Sequence, residues 1–210
     1  MRIKNEIVIG MLALLCMLQV NTAMGASPKE KRMKSRLLEL LKAQRQPLAD
    51  DATAIWGLAE LGFLEHKSAT ILQKRLSDAG FTVQTGVAGM PTAFVASYRN
   101  GEGPVIGLLA EYDALGGLSQ DSTCIRYSRA DNTNGHGCGH NLIGSGAVAA
   151  AVALRQWMEE NGVHGEIRLY GCPAEEGGSG KVYMVRDGLF NGVDAVMHWH
   201  PTDYNGYYSS

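Results

Sequence analysis

Val105-Ile106-Gly107-Leu108-Leu109-Ala110 runs directly into Glu111-Tyr112-Asp113, and this stretch decides how the chain is read. Six apolar residues in unbroken succession predict a strand covered on both faces. Sheets of that kind are largely parallel and carry helices on both sides. Their ligands collect beyond the carboxyl ends of the strands. Glu111 and Asp113 therefore stand where chemistry is expected.

The pattern repeats downstream. After an irregular stretch, about 114–139, an Ala- and Gly-rich helix is expected over 141–160. Glu166-Ile167-Arg168-Leu169-Tyr170-Gly171-Cys172 reads as a second strand, closed by Pro173. A Gly-rich loop and a helix at about 179–187 lead to a third strand, Val193 to Met197. That strand ends in His198-Trp199-His200-Pro201. Upstream, Phe81 to Thr85 and Ala93 to Tyr98 alternate as half-buried strands do. Helices are expected from Pro47 to about Leu61 and from His66 to Ala79, the latter stopped by Gly80. Strand and helix alternate from residue 81 onward, so the fold class is α/β, a sheet covered by helices.

Chemistry-bearing residues gather at these strand ends. Of the six histidines, His136, His140, His198 and His200 fall in two short segments. Cys138 and His140 are two apart in a Gly-rich loop. If that loop is extended, both side chains point the same way, and thiolate with imidazole suits zinc or a similar divalent ion. Glu175 and Glu176 follow the 166–172 strand. In an extended segment they would face opposite sides, one to bind metal and one to stay free as a base. His198 and His200 compete as ligands. Asp113 is placed to orient a metal-bound histidine or carboxylate. His136 reads as a supporting or surface residue, His66 as a surface or cap residue, and Arg126 and Arg129 as surface residues.

Composition sets the bounds. The chain has 210 residues, with 45% hydrophobic and 19% charged residues, which excludes a disordered tail. Nineteen basic against 21 acidic residues leave no basic surplus for general nucleic-acid binding. Arg2 and Lys4 precede an apolar stretch, Ile7 to Val20, and Ala23-Met24-Gly25 offers a small-x-small cleavage site. Residues 1–25 are therefore expected to be a signal peptide, with an exported product and no stable membrane insertion after cleavage. Residues 26–46 are expected to form a basic helix opened by the capping box Ser27-Pro28-Lys29-Glu30. Beyond Cys16, the cysteines are Cys124, Cys138 and Cys172. They give no disulfide framework, though a Cys124–Cys172 bridge is conceivable. No nucleophile elbow, Walker loop or H-E-x-x-H occurs. Tyr204, Tyr207 and Tyr208 form an aromatic tail.

The segments Gly107 to Leu115, Asn134 to Asn141, Tyr170 to Lys181 and Trp199-His200-Pro201 resemble the zinc-dependent metallopeptidases of the aminoacylase and carboxypeptidase G type. Within that family they resemble the amidohydrolase branch, which uses cysteine in place of a bridging aspartate. The resemblance implies a catalytic domain with a mixed sheet flanked by helices, of which residues 47–210 are the N-terminal portion. It implies two divalent ions, zinc or manganese, with Cys138 bridging and His140 and Glu176 as ligands. Glu175 takes the role of general base and acid. His200 matches the ligand of the aminobenzoyl-glutamate branch, whereas other amidohydrolases place that histidine at the position of His198. The implied substrates are N-acyl or N-aroyl amino acids, aminobenzoyl-glutamate among them, or small peptides. Intact members form homo-oligomers. They are about twice as long, adding a lid or dimerisation domain and a last histidine ligand. The chain is thus expected to stop before that domain. A non-catalytic, metal-binding or dimerising remnant is the alternative reading.

Overall fold

The computed structural model describes residues 27–202 and Gly206. The expected signal peptide and the tyrosines of the C-terminal tail lie outside the described residues. The described residues divide between Arg36 and Leu37 into two compact units.

The first described element is helix α1, Pro28–Ala43. Its capping box forms as the sequence predicts. Glu30 N–H donates to Ser27 Oγ at 3.2 Å, and Ser27 N–H donates to Glu30 Oε2 at 2.6 Å. Helix α2 is Arg45–Leu58, starting two residues before Pro47. Pro47 still sits in the first turn, where its missing N–H costs no helical bond. Helix α3 is His66–Asp78. A two-pronged ion pair joins these helices, with Arg75 Nε and Nη2 on the Asp51 carboxylate at 2.9 and 2.8 Å. No described helix is long and apolar enough to cross a membrane.

Five strands follow: β1 Thr82–Thr85, β2 Phe94–Asn100, β3 Val105–Glu111, β4 Gly165–Cys172 and β5 Ala195–Met197. Between β3 and β4 lies helix α4, His140–Asn161. Between β4 and β5 lie a single helical turn, α5 (Glu175–Gly178), and helix α6 (Gly180–Arg186). The sheet order is β1-β2-β4-β3-β5. β1 and β2 pair antiparallel, as do β2 and β4. β3 is parallel to both β4 and β5. The sheet is mixed, and the quoted apolar run is its parallel centre.

Each face of the sheet has its own apolar layer, as the two-residue period of strands requires. Ile167 and Leu169 of β4 face Leu72 and Leu76 of α3 and Val148 and Ala151 of α4. Tyr170 and Cys172 face Met184 of α6 and Val87, Met90 and Ala93. Helix α4 comes very close to β3. A Cβ at Gly144 would lie 2.5 Å from the carbonyl oxygen of Glu111.

The structure corrects two readings of the sequence. Cys172 is buried on β4 while Cys124 is exposed, and both are free thiols, so they form no bridge. Arg129 is not a surface residue, because its side chain is 15% exposed. Its guanidinium lies 4.6 Å from the Trp56 ring centroid.

Candidate metal centre

The topology gathers the site before any side chain is considered. β3, β4 and β5 are parallel, so all three finish at one edge of the sheet. Glu111 pairs with Cys172 in register, so the segments carrying Asp113 and Glu175-Glu176 leave side by side. Helix α4 returns across the sheet and therefore begins at that same edge, with His140 as its first residue.

The loop ahead of α4 is pinned by the end of α2, whose last carbonyls would otherwise lack donors. Arg129 donates to the carbonyls of Trp56 and Gly57, both at 3.2 Å. Asn132 donates to Leu58 O at 3.0 Å and Asn134 to Ala59 O at 3.3 Å. His136 Nε2 lies 3.2 Å from Ile55 O. Burial pushes the His136 imidazole down to about 4, so it stays neutral and supports the loop.

His140 is the hub, with no solvent exposure. Its Nδ1 lies 2.9 Å from Asp113 Oδ1. Asp113 Oδ2 accepts the Glu176 N–H at 2.9 Å. One buried aspartate thus orients the imidazole and anchors the carboxylate turn, the supporting role expected for it. His140 Nε2 points into a group of acids. Glu111 Oε2 is 3.3 Å away, Glu175 Oε2 3.7 Å and Glu176 Oε1 3.8 Å. His140 Nε2, Glu111 Oε2 and Glu176 Oε1 are buried and have no hydrogen-bond partner among the described residues. Orphaned polar atoms of this kind are unusual in a folded interior, where such atoms are normally paired.

Cys138 and His200 complete the edge, with Sγ 2.9 Å from Nε2. Two three-residue groups have donor atoms within 4.8 Å of one another: Cys138, His140 and His200, and Glu111, His140 and Glu175. His198 meets the other oxygen of Glu111, with its Nε2 3.3 Å from Oε1. Lys181 Nζ also contacts Glu111 Oε1. Burial alone would raise the Glu111 carboxyl, but His198 and Lys181 outweigh it and hold it at about 2. Burial disfavours a charged His140, yet Asp113, Glu111 and Glu176 raise its affinity for a proton. Burial and then Glu176 push the Cys138 thiol up to about 11. Without a cation this thiol stays protonated at neutral pH, so the donor set is one that a divalent ion would complete.

Local backbone differs from the sequence reading in two places. Cys138 and His140 do not share an extended loop. Gly139, at φ 82°, turns the chain into the N-terminus of α4. Glu175 and Glu176 lie in a helical turn, not an extended segment. Neighbours in a helix diverge by about 100°, and both carboxylates still approach His140 Nε2. The sequence marks Glu111 as a strand end where chemistry is expected but assigns it no role at the site; Lys181 escapes the sequence reading. Lys181 shows only as part of a Gly-rich segment with no recognised spacing.

Residues 107–208 match the model of peptidase family M20/M25/M40. The chain is 49% identical over 173 residues to a subunit of the p-aminobenzoyl-glutamate hydrolase of Escherichia coli, covering 82% of this chain and 36% of that one. It is 34% identical over 191 residues to the Xaa-Arg dipeptidase of Mus musculus, covering 81% and 40%. Among solved structures it is similar to a Bacillus subtilis dinuclear metal-binding peptidase of the M20 family. There the identity is 25% and the TM-score 0.63, covering 74% of this chain and 42% of that one. The chain thus spans about two fifths of the length of these relatives.

Proposed function

We propose, from a chain that belongs to the M20/M25/M40 peptidase family, that it supplies the metal-binding half of an amide hydrolase acting on N-acyl or N-aroyl amino acids. The observation that carries this is the convergence of buried, unpartnered donor atoms from Glu111, His140 and Glu176 beside Cys138 and His200. The relatives' printed activities, on aminobenzoyl-glutamate and on Xaa-Arg dipeptides, share cleavage of an amide next to an amino-acid carboxylate. They support that substrate class.

Cys138, His140 and His200 would hold the ion, with Glu176 closing the set. A divalent ion bound there would polarise the scissile carbonyl and acidify water. Glu175 is the most exposed of the four acids and reaches toward His140 Nε2, which fits a base that takes a proton from water and hands it to the leaving amine. Asp113 keeps Nδ1 of His140 engaged, so Nε2 is the nitrogen left for the ion. Both three-donor groups include His140. Zinc or manganese would suit it. Further proposals are a second ion completed by residues supplied from elsewhere, export directed by residues 1–25, and a homo-oligomeric assembly.

The test is metal stoichiometry by native mass spectrometry after zinc loading and desalting. Wild type should retain about one ion, and Cys138→Ala should lose it, as closed Cys/His sites depend on each ligand. Hydrolysis of an N-aroyl amino acid, if present, should vanish in Glu175→Gln while the metal stays. Zinc retained equally by both chains would remove the proposed centre. Turnover unaffected by Glu175→Gln would remove the proposed base.

A further inference from the structure

One short upstream segment touches both strand ends that carry the candidate chemistry. Ala59 leaves α2 with φ 42°. The Glu60 carbonyl accepts the Ala114 N–H at 2.8 Å, and Leu61 pairs with Ala114 as a parallel bridge, one residue beyond Asp113. Gly62 lies against Ala174, where a Cβ on the glycine would sit 2.9 Å from the Ala174 Cβ. Phe63 covers Gly178 so closely that a Cβ there would lie 2.3 Å from its ring. Glu65 then crosses 109 residues of sequence to Ala174, and its Oε1 accepts the Ala174 N–H at 2.7 Å.

Glu65 has no solvent exposure. A fully buried carboxyl is unfavourable unless its hydrogen bonds compensate. Its Oε2 and the neighbouring Thr92 Oγ1 have no hydrogen-bond partner among the described residues. What Glu65 does hold is the peptide that enters α5. Ala174 is itself left-handed, at φ 53°, an uncommon conformation for a residue with a Cβ. The next two residues are Glu175 and Glu176, and the Glu176 N–H is held in turn by Asp113.

We propose that Glu65 is a positioning residue for the carboxylate turn: by accepting the Ala174 N–H it fixes the left-handed entry into Glu175–Gly178 and so aims Glu175 and Glu176. Its consequence for metal binding rests on the role proposed above for those two acids. Its effect on the turn does not. Burial raises the Glu65 carboxyl while the Ala174 N–H opposes the rise, and a neutral carbonyl oxygen can also accept this hydrogen bond. Glutamine should therefore replace it, and alanine should not.

The experiment is amide hydrogen exchange by NMR on the full, metal-free chain, followed by cobalt(II) titration read by visible absorption. In Glu65→Ala, protection at Ala174 and Glu176 should fall at least about tenfold relative to Leu169 in β4, as loss of one buried hydrogen bond allows. Glu65→Gln should restore both amides. Leu76→Ala, a core change on α3, should lower protection without singling out the turn. Glu176 protection unchanged in Glu65→Ala, no rescue by glutamine, or an equal selective loss in Leu76→Ala would each overturn the proposal. Should Glu65→Ala not fold, Gly62→Ala presses on the Ala174 Cβ and must loosen the same two amides. Cobalt then separates the two ideas. Absence of cobalt binding by wild type sinks the metal reading and leaves the exchange result standing. Binding by wild type, with tenfold weaker affinity in Glu65→Ala and recovery in Glu65→Gln, supports both.

Discussion

Asp113 shows how much one residue does in this site. Its two oxygens serve His140 and the Glu176 backbone separately. Replacing it with alanine frees both, and metal affinity should fall about 10- to 100-fold, the usual effect of removing a ligand's orienting partner. Isothermal titration with zinc measures this directly. His198 and His200 separate in the same experiment. His200 lies on Cys138, whereas His198 lies on Glu111. His200→Ala should abolish zinc retention, and His198→Ala should keep it. The reverse result would exchange their proposed roles. The two histidines are legible in the sequence as a pair. Their division of labour is not, because it depends on which neighbouring strand end each side chain meets.

At the scale of elements, close approach and charge pairing set the geometry. Helix α4 can rest on β3 because residue 144 has no side chain. Gly144→Ala should lower the urea unfolding stability by about 1–3 kcal/mol, the usual overpacking penalty, and should weaken metal binding by displacing His140. Glu166 on β4 is directly opposite Arg99 on β2, and its Oε1 accepts from Arg168 Nε at 2.8 Å. Burial opposes its charge, but Arg168 and Arg99 prevail and depress its proton affinity. A depressed carboxyl contributes stability above its unfolded value, about 4.3, and loses it as pH falls through the folded value. Wild type should lose stability on acidification below about pH 4.5 more steeply than Glu166→Gln, as urea midpoints across pH 3 to 7 would show. The helices and strands are largely legible from period and punctuation. The turn α5 is not, since four residues carry too little periodicity to distinguish a helical turn from a loop.

For the whole molecule, three parallel strands and one returning helix deliver donors from positions 111 to 200 to one sheet edge. Metal binding is therefore coupled to folding of the entire sheet. Zinc at about one hundred times its dissociation constant should add about 2.7 kcal/mol to unfolding stability. A chelator should reverse the gain, and Cys138→Ala should show none. Calorimetry with and without zinc checks both. An equal response in Cys138→Ala would place the ion elsewhere.

The sequence by itself determined the class of fold and the chemistry available to it. An apolar run such as Val105 to Ala110 has few alternatives to a doubly covered strand, and Cys138, His140, Glu175, Glu176 and His200 announce a metal by residue type. Tertiary structure alone decided which atoms meet. Glu65 acts across 109 residues on Ala174, and Arg129 closes the end of α2 from a loop whose composition suggests solvent. Glu111 joins His140 only because β3 and the start of α4 share an edge. Such contacts depend on register and crossover direction, which no local period encodes. Burial then changes what the same side chains can do, lowering the imidazole at 136 and, together with Glu176, raising the thiol at 138.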